Sequence, residues 1–379
     1  MPVIQLPDRS KLKPHDQPKQ FETAIIYCEG NFGRIDGKTA NGLIRSSEKY
    51  KILSVIDSTK AGIDSGMALD DIPNNIPVYR GFAEALKLSG EMPDTFIYGM
   101  APLSGMLSEH ERTIMLEAIN SGMNIVNGLH EFLNDDPEFS AAAAANNVTI
   151  RDIRKPRAKK DLKTFSGRIK DVTCPRIAVL GTDGAIGKRT TATILTKVLN
   201  DHGVKAIMVG TGQTGLMQGA KYGIAIDAIA PQFCSGEMEA AVINAFEEVS
   251  PDVIIIEGQG ALSHPAYLTS AYILRGSCPD GVILQHAPGR KNLSDYSEIA
   301  MPSVTSEINL IETFADTKVI GLTINHENMT EDEVAAAIMR YEDIFDIPAT
   351  DALTRSSDSL LDMVLLAFPE LGKKISAVT

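Results

Sequence analysis

Residues 176–194, RIAVLGTDGAIGKRTTATI, carry chemistry that can be read from spacing alone. An apolar run passes through Gly181, Gly184 and Gly187 into Lys188. A strand that enters a helix through glycines leaves backbone N–H groups unpaired at the helix N-terminus. Those donors, with the helix dipole, hold an anion. Gly184 and Gly187 have no Cβ to keep a phosphate away. Lys188 adds a point charge, and Thr190 and Thr191 add hydroxyls. The spacing departs from G-x-x-x-x-G-K-[ST] at two places. Thr182 stands at the first glycine position, with Gly181 just before it. Arg189 stands where a hydroxyl would ligate the Mg²⁺ of a nucleotide. Either Thr190 reaches a metal from a shifted turn, or no metal is required and Arg189 supplies a bidentate donor instead. The second reading is the expectation: a loop that holds a pyrophosphate without an obligatory metal. Its bland rival is a glycine turn with no ligand.

Other polar residues stand at the ends of apolar runs. Glu257 ends VIIIE (253–257) and precedes Gly258-Gln259-Gly260. His286 ends GVILQH, with Arg290 shortly after it, and Asn325-His326 end another run. Ligands of open α/β sheets lie beyond the carboxyl ends of the strands, so these groups are expected to converge. Each taken singly is as well explained as a loop cap. Earlier, EGNFGRIDGKTANGLIR (29–45) offers Lys38 and Arg45 to an anionic group. The equally good alternative there is a structural turn with solvated cations. Asp57 stands where a Rossmann fold keeps its ribose acid, but no G-x-G-x-x-G precedes it, and NAD is not expected.

The elements that would position these residues alternate. Strands are expected at 23–28, 51–57, 95–100 and 123–129, then at 176–181, 205–210, 252–258, 281–286 and 318–325. Helices are expected at 110–122, at 188–202 with Gly203 as its left-handed stop, and at 331–345. Alternation of this kind gives mostly parallel sheets. The fold class is α/β, with a Rossmann-like N-terminal domain and a P-loop NTPase-like C-terminal domain. The segment 151–170 carries nine Lys or Arg against two Asp and marks the boundary. The division is an arm at 1–20, a Rossmann-like domain at 21–150, a basic linker at 151–172 and a P-loop-like domain at 173–379. The linker reads as solvated, with a minority reading in which a cation reaches a ligand phosphate.

Composition narrows the function classes. At 379 residues and 44% hydrophobic content, two cores can form. A net charge of −13 repels a nucleic-acid backbone, so no nucleic-acid partner is expected. Cys28, Cys174, Cys234 and Cys278 have no metal-ligand spacing and read as buried free thiols. The polar, proline-rich N-terminus has no signal-peptide core, and no apolar run spans a bilayer. A cytoplasmic protein without membrane contact is expected, working on small molecules as a homo-oligomer.

The order EG-x-FG, GKTA-x-GLIR, VIDS-x-x-AG, NIVNGLHEFL, GTD-x-x-IGKRTTA, IIIEGQGAL and LQHAPGR resembles a bacterial family long catalogued as a domain of unknown function. The resemblance covers about Thr23 to Pro369. Members look like D-glutamate N-acetyltransferases that use acetyl-CoA. The resemblance therefore implies transfer of an acetyl group from acetyl-CoA to a small acidic amine, most naturally D-glutamate. The residue chemistry then suggests Glu257, His286 or Asp183 as the base, and Arg290, Lys38 and Arg45 for the carboxylates. The turn, from Gly184 to Thr191, would take the coenzyme pyrophosphate. The alternative is an ATP- and Mg²⁺-dependent ligase or kinase, because GTD…GK also resembles the loop of dethiobiotin synthetases. A non-catalytic nucleotide-sensing module is a third possibility, opposed by the polar strand ends.

Overall fold

The computed structural model describes residues 21–375; the expected arm at 1–20 lies outside the described residues. The first sheet contains β1 (Glu22–Tyr27), β2 (Tyr50–Ile56), β3 (Val78–Tyr79), β4 (Thr95–Tyr98), β5 (Asn124–Asn127) and β6 (Ile150–Asp152). Their spatial order is β3-β2-β1-β4-β5-β6, and every pairing is parallel. This is the Rossmann order, which reverses between β1 and β4. At that switch point α1 (Lys38–Arg45) begins. The long strands are apolar on both faces because helices cover both sides of a parallel sheet.

The second sheet contains β7 (Arg176–Gly181), β8 (Ala206–Gly210), β9 (Tyr222–Gly223), β10 (Val253–Glu257), β11 (Gly281–His286), β12 (Lys318–Ile324) and β13 (Ala349–Thr350). It is ordered β13-β12-β11-β7-β10-β8-β9 and is parallel throughout. The strand period of two sends alternate residues to opposite cores. Ala178, Leu180, Ile254 and Ile256 pack with the helix spanning Pro231–Val249. Ile177, Val179, Val253 and Ile255 pack with Leu195 and Leu199 of the helix Lys188–Asp201 and with the C-terminal helices. Expected strands and helices lie where the apolar runs placed them. The additions are the short edge strands β3, β6, β9 and β13, which have too few residues to show a pattern, and further helices, among them Lys38–Arg45, Pro137–Asn146, Pro231–Val249, Val304–Phe314 and Asp358–Ala367.

The basic segment is exposed over most of its length, as a solvated linker would be, but it is anchored at several points. Its first residues are β6, and the rest straps down the second domain. Arg151 pairs with Glu22, and Arg157 meets Glu237 at 2.6 Å. The N–H groups of Lys163 and Ser166 donate to the buried carboxylates of Glu237 and Glu239. Arg154 is buried, donates to Gly128 O and pairs with Asp227 at 2.8 Å, tying one domain to the other. The thiol expectation also needs correction: Cys28 and Cys234 are buried, but Cys278 is exposed and Cys174 half-buried. No helix among the described residues is long and apolar enough to cross a membrane.

A short helix of the second domain, Gln213–Gln218, docks on α1. Met217 from this helix is wholly buried in the first domain's core. Thr39 and Thr214 share a hydrogen bond of 2.9 Å. Gln218 Nε2 donates to Gly42 O and Ser46 O, both at 2.8 Å, and so caps the last carbonyls of α1 from the other domain. Gln218→Leu should therefore cost about 1–3 kcal/mol and speed amide exchange in α1. Urea unfolding with exchange mass spectrometry tests this; wild-type values for both would show that the cap does not hold the domains together.

Candidate functional site

The turn between β7 and the helix Lys188–Asp201 keeps its donors free. From Ala185 to Thr190, no backbone N–H has an acceptor among the described residues. Ala185 sits at φ 47° and Gly187 at φ 102°. The second is a conformation open to glycine, and together they turn successive N–H groups inward as an anion nest. Lys188 is buried and folds its ammonium back on Asp183 O. Burial pulls its pKa down to about 8, against the attraction of Asp183.

The strand ends converge, as expected, but several of them grip the turn itself and leave little for a ligand. Arg290 is fully engaged. Its guanidinium pairs with Asp183 at 2.7 Å and with Glu327 at 2.5 Å, and it donates to Gly184 O at 3.0 Å. Asp183, wholly buried, also accepts from the N–H groups of Gly184 and Ser294. Neither a free carboxylate-binding arginine nor a free base is present at these positions. His286 Nδ1 lies 2.8 Å from Thr182 Oγ1, and its ring meets Tyr341 edge-on. Burial lowers its pKa to about 4, so it is a neutral brace with little appetite for a proton. Asn325 donates to Ile186 O at 3.0 Å. Thr191 donates to Gln285 at 2.6 Å, and its hydroxyl is spent. Thr190 makes no side-chain hydrogen bond in the described protein. Gly184 would meet only Ser294 Oγ, at 3.5 Å, if it bore a Cβ, so its lack of a side chain matters less than that of Gly187.

The first domain divides its candidates. Arg45 is tied to Asp70 by a fork of hydrogen bonds at 2.6–3.1 Å. Lys38 makes no ion pair and no side-chain hydrogen bond in the described protein. Its side chain is exposed, yet the protein packed around it and the charge of Arg154 lower its pKa, against the pull of Asp295, Asp227 and Asp36. Lys38 is also near enough to lower the pKa of Lys188. Asp57 spends its carboxylate on Phe32 N and Thr59, shaping the loop before α1. Arg189 is not turned over the anion nest. Its guanidinium rests on Gly42 of α1, where a Cβ would lie 2.4 Å from it, and its buried Nε has no partner.

Glu257 is buried, and desolvation raises its pKa. The charges of Arg189 and Lys188 and the Thr211 N–H at 2.8 Å oppose that rise. One residue had no signal in the sequence reading. His264 is buried in the loop after β10 and stacks on Tyr267 at 4.4 Å. Its Nδ1 accepts from Ala266 N at 3.2 Å, while its buried Nε2 has no partner. It is close enough for Asp183, Asp295 and Lys188 to influence its charge. A lone histidine in SHPAY carries no spacing motif; only the fold brings it to the turn. Tyr267 and Asp295, joined at 2.8 Å, complete that wall. Cavities of about 430 and 500 Å³, one under the basic strap and one beside Phe165 and Cys278, include no residue of the turn.

Residues 58–156 match the Rossmann-like domain, and residues 163–361 the P-loop domain, of a family described as a domain of unknown function, DUF1611. The chain belongs to the DUF1611 family. A protein from a Pseudoalteromonas species, named D-glutamate N-acetyltransferase, is 33% identical over 285 residues, covering 73% of this chain and 82% of that one. A second of the same name, from Tritonibacter scottomollicae, is 28% identical over 275 residues, covering 71% and 80%. The crystal structure of a DUF1611 family protein from Anabaena variabilis superposes with a TM-score of 0.84 at 29% identity, over 91% of this chain and 99% of that one. Both named relatives are acyltransferases, and this DUF1611 protein is an enzyme of that class.

Arg290 thus acts on the turn. Arg290→Ala leaves the Asp183 carboxylate buried and unpaired, and should cost about 3–5 kcal/mol of stability. Denaturant unfolding is the measurement; wild-type stability combined with a raised acceptor KM would return Arg290 to a substrate-binding role.

Proposed function

We propose that this DUF1611 protein moves the acetyl group of acetyl-CoA to the amino group of D-glutamate. The observation that carries the reading is an anion nest with Lys188 and a carboxyl of raised pKa at the end of the second sheet, faced by Lys38 from the first domain. Lys38 and Lys188 supply positive charge for an acidic amino acid. Glu257 supplies a proton acceptor whose basicity burial has increased. The family and the names of the two relatives favour the same pair of substrates.

The chain's tasks follow from amine acetylation. The acceptor arrives as an ammonium and must lose a proton before its nitrogen is nucleophilic. Glu257 takes that proton. The nitrogen bonds to the thioester carbonyl carbon and the carbon–sulfur bond breaks. The departing thiolate takes the second proton of the amine. The products are the N-acetyl amino acid and free thiol, with one proton left on Glu257 for release to water.

Glu257→Gln should lower kcat about 10²–10⁴-fold with unchanged acetyl-CoA affinity, measured by thiol release and calorimetry. Turnover near wild type would place the base elsewhere. Transfer should also survive exhaustive chelation, because Arg189 occupies the usual metal-hydroxyl position. Activity that disappears and returns with Mg²⁺ would favour the ATP-dependent ligase reading.

A further inference from the structure

We propose that Arg189 is a positioning residue for Glu257, and that the first domain, through Gly42, holds it in that place. The proposal rests on Glu257 as the proton acceptor of the acetyl-transfer reading and adds what governs that carboxyl.

Two glycines stand inside helices, where glycine is unfavourable. Gly42 lies in α1, and Gly215 lies in the helix Gln213–Gln218 of the second domain. Each makes room for one charged side chain. A Cβ on Gly42 would lie 2.6 Å from Nη2 and 2.8 Å from Cζ of Arg189. A Cβ on Gly215 would lie 2.6 Å from Oε2 of Glu257. In both cases the three nearest atoms belong to that side chain, and none belongs to the facing helix. Close approach of the two helices therefore does not explain the glycines. They are seats, one for a guanidinium and one for a carboxylate. The seats adjoin across the seam. Thr39 of α1 meets Thr214 at 2.9 Å, and Gly42 O accepts from Gln218 Nε2 at 2.8 Å. Thr214 and Gln218 bracket Gly215 within about one helical turn, or about 5.4 Å of rise. Arg189 on Gly42 and Glu257 against Gly215 thus lie along the same short stretch of the domain contact.

No other group claims Arg189. Its buried Nε has no partner, and among the described residues it forms no ion pair. Its charge acts on Glu257 through space. Burial favours the neutral carboxyl of Glu257, and Arg189 is the largest influence against it, ahead of the Thr211 and Gly212 N–H groups and Lys188. The other neighbours are accounted for. The helix Gln213–Gln218 brings no charged side chain. From α1, Arg45 is held by Asp70 and acts on Arg189, while Lys38 acts on Lys188, as Asp183 does from the turn. On the opposite face of the sheet, Glu237 and Glu239 are engaged by the strap. An acid that takes and releases a proton near neutral pH needs both influences. Burial alone would leave it protonated, and a directly paired arginine would leave it too weak a base.

The test reads Glu257 itself. Its side-chain carboxyl carbon resonance, assigned by its absence from Glu257→Gln, is titrated by NMR in the full chain. The variants are Arg189→Met, Arg189→Lys, Gly42→Ala and the Gly42→Ala, Arg189→Met double substitution. A positive charge favours the carboxylate, so its loss raises the midpoint. Arg189→Met is expected to raise it by about one pH unit or more, and Arg189→Lys to restore most of that change. Gly42→Ala adds a better helix former but fills the guanidinium's seat. It should displace the midpoint when Arg189 is present and leave it unmoved in the Arg189→Met background. An unmoved midpoint in Arg189→Met, or an equal change in Arg189→Met and Arg189→Lys, would overturn the proposal. A Gly42→Ala effect that is absent, or that persists without Arg189, would overturn it as well. The acidic limb of the acetyl-transfer rate should move up with the midpoint in Arg189→Met, because the ionised acid is the base. A midpoint that moves as expected under a stationary rate limb would support the pairing and sink the base assignment of Glu257 alone.

Discussion

The turn after β7 holds a row of backbone N–H groups away from every acceptor among the described residues, and much of the surrounding structure keeps it so. An unpaired buried donor costs about 1–3 kcal/mol, and a loop left to itself would close on its own carbonyls. Here the carbonyls are already taken. Gly184 O accepts from Arg290 and Ile186 O from Asn325, while Asp183 O receives the Lys188 ammonium. The side chains at the ends of β11 and β12 thus work as clamps. Their polar character comes from holding a strained turn open, and so the same residue types that suggest catalysis turn out to be scaffolding.

The second constraint is the seam between the domains. Met217 and Gln218 enter the first domain as a core residue and a helix cap. Arg154 crosses the seam to Gly128 O and Asp227. These contacts fix Lys38, at the switch point of one sheet, against Lys188, at the phosphate-loop position of the other. Among the described residues neither cation is drawn off into an ion pair. Lys188 is buried and Lys38 exposed, so the two like charges repel each other across partly solvated space, and an anion between them would relieve that repulsion. The net charge of −13 does not decide this, because only the local balance acts over such distances.

What the sequence determined by itself was the framework. Long apolar runs buried on both faces identify parallel strands wherever they sit, because a period-free hydrophobic stretch of strand length has few other homes. GTDGAIGK was legible as a turn with free N–H groups because backbone geometry there is local: glycine, a positive φ and a helix start need no distant partner. Glu257 was legible for the same reason, as an acid at the end of the most apolar strand.

What only the tertiary structure decided was the use of side chains that could point either way. Arg290, Arg45 and Arg189 read alike as cations near a site. One is consumed by Asp183 and Glu327, one by Asp70, and one rests on Gly42. The basic strap read as solvated because its partners, Glu237 and Glu239, lie more than seventy positions away in the chain. His264 had no motif, and it became a candidate only when β10 and the loop anchored by Glu307 carried it to the turn. Backbone conformation is written within a few residues. The pairing of a charge depends on which remote group the fold brings within reach, and a single sequence does not contain that distance.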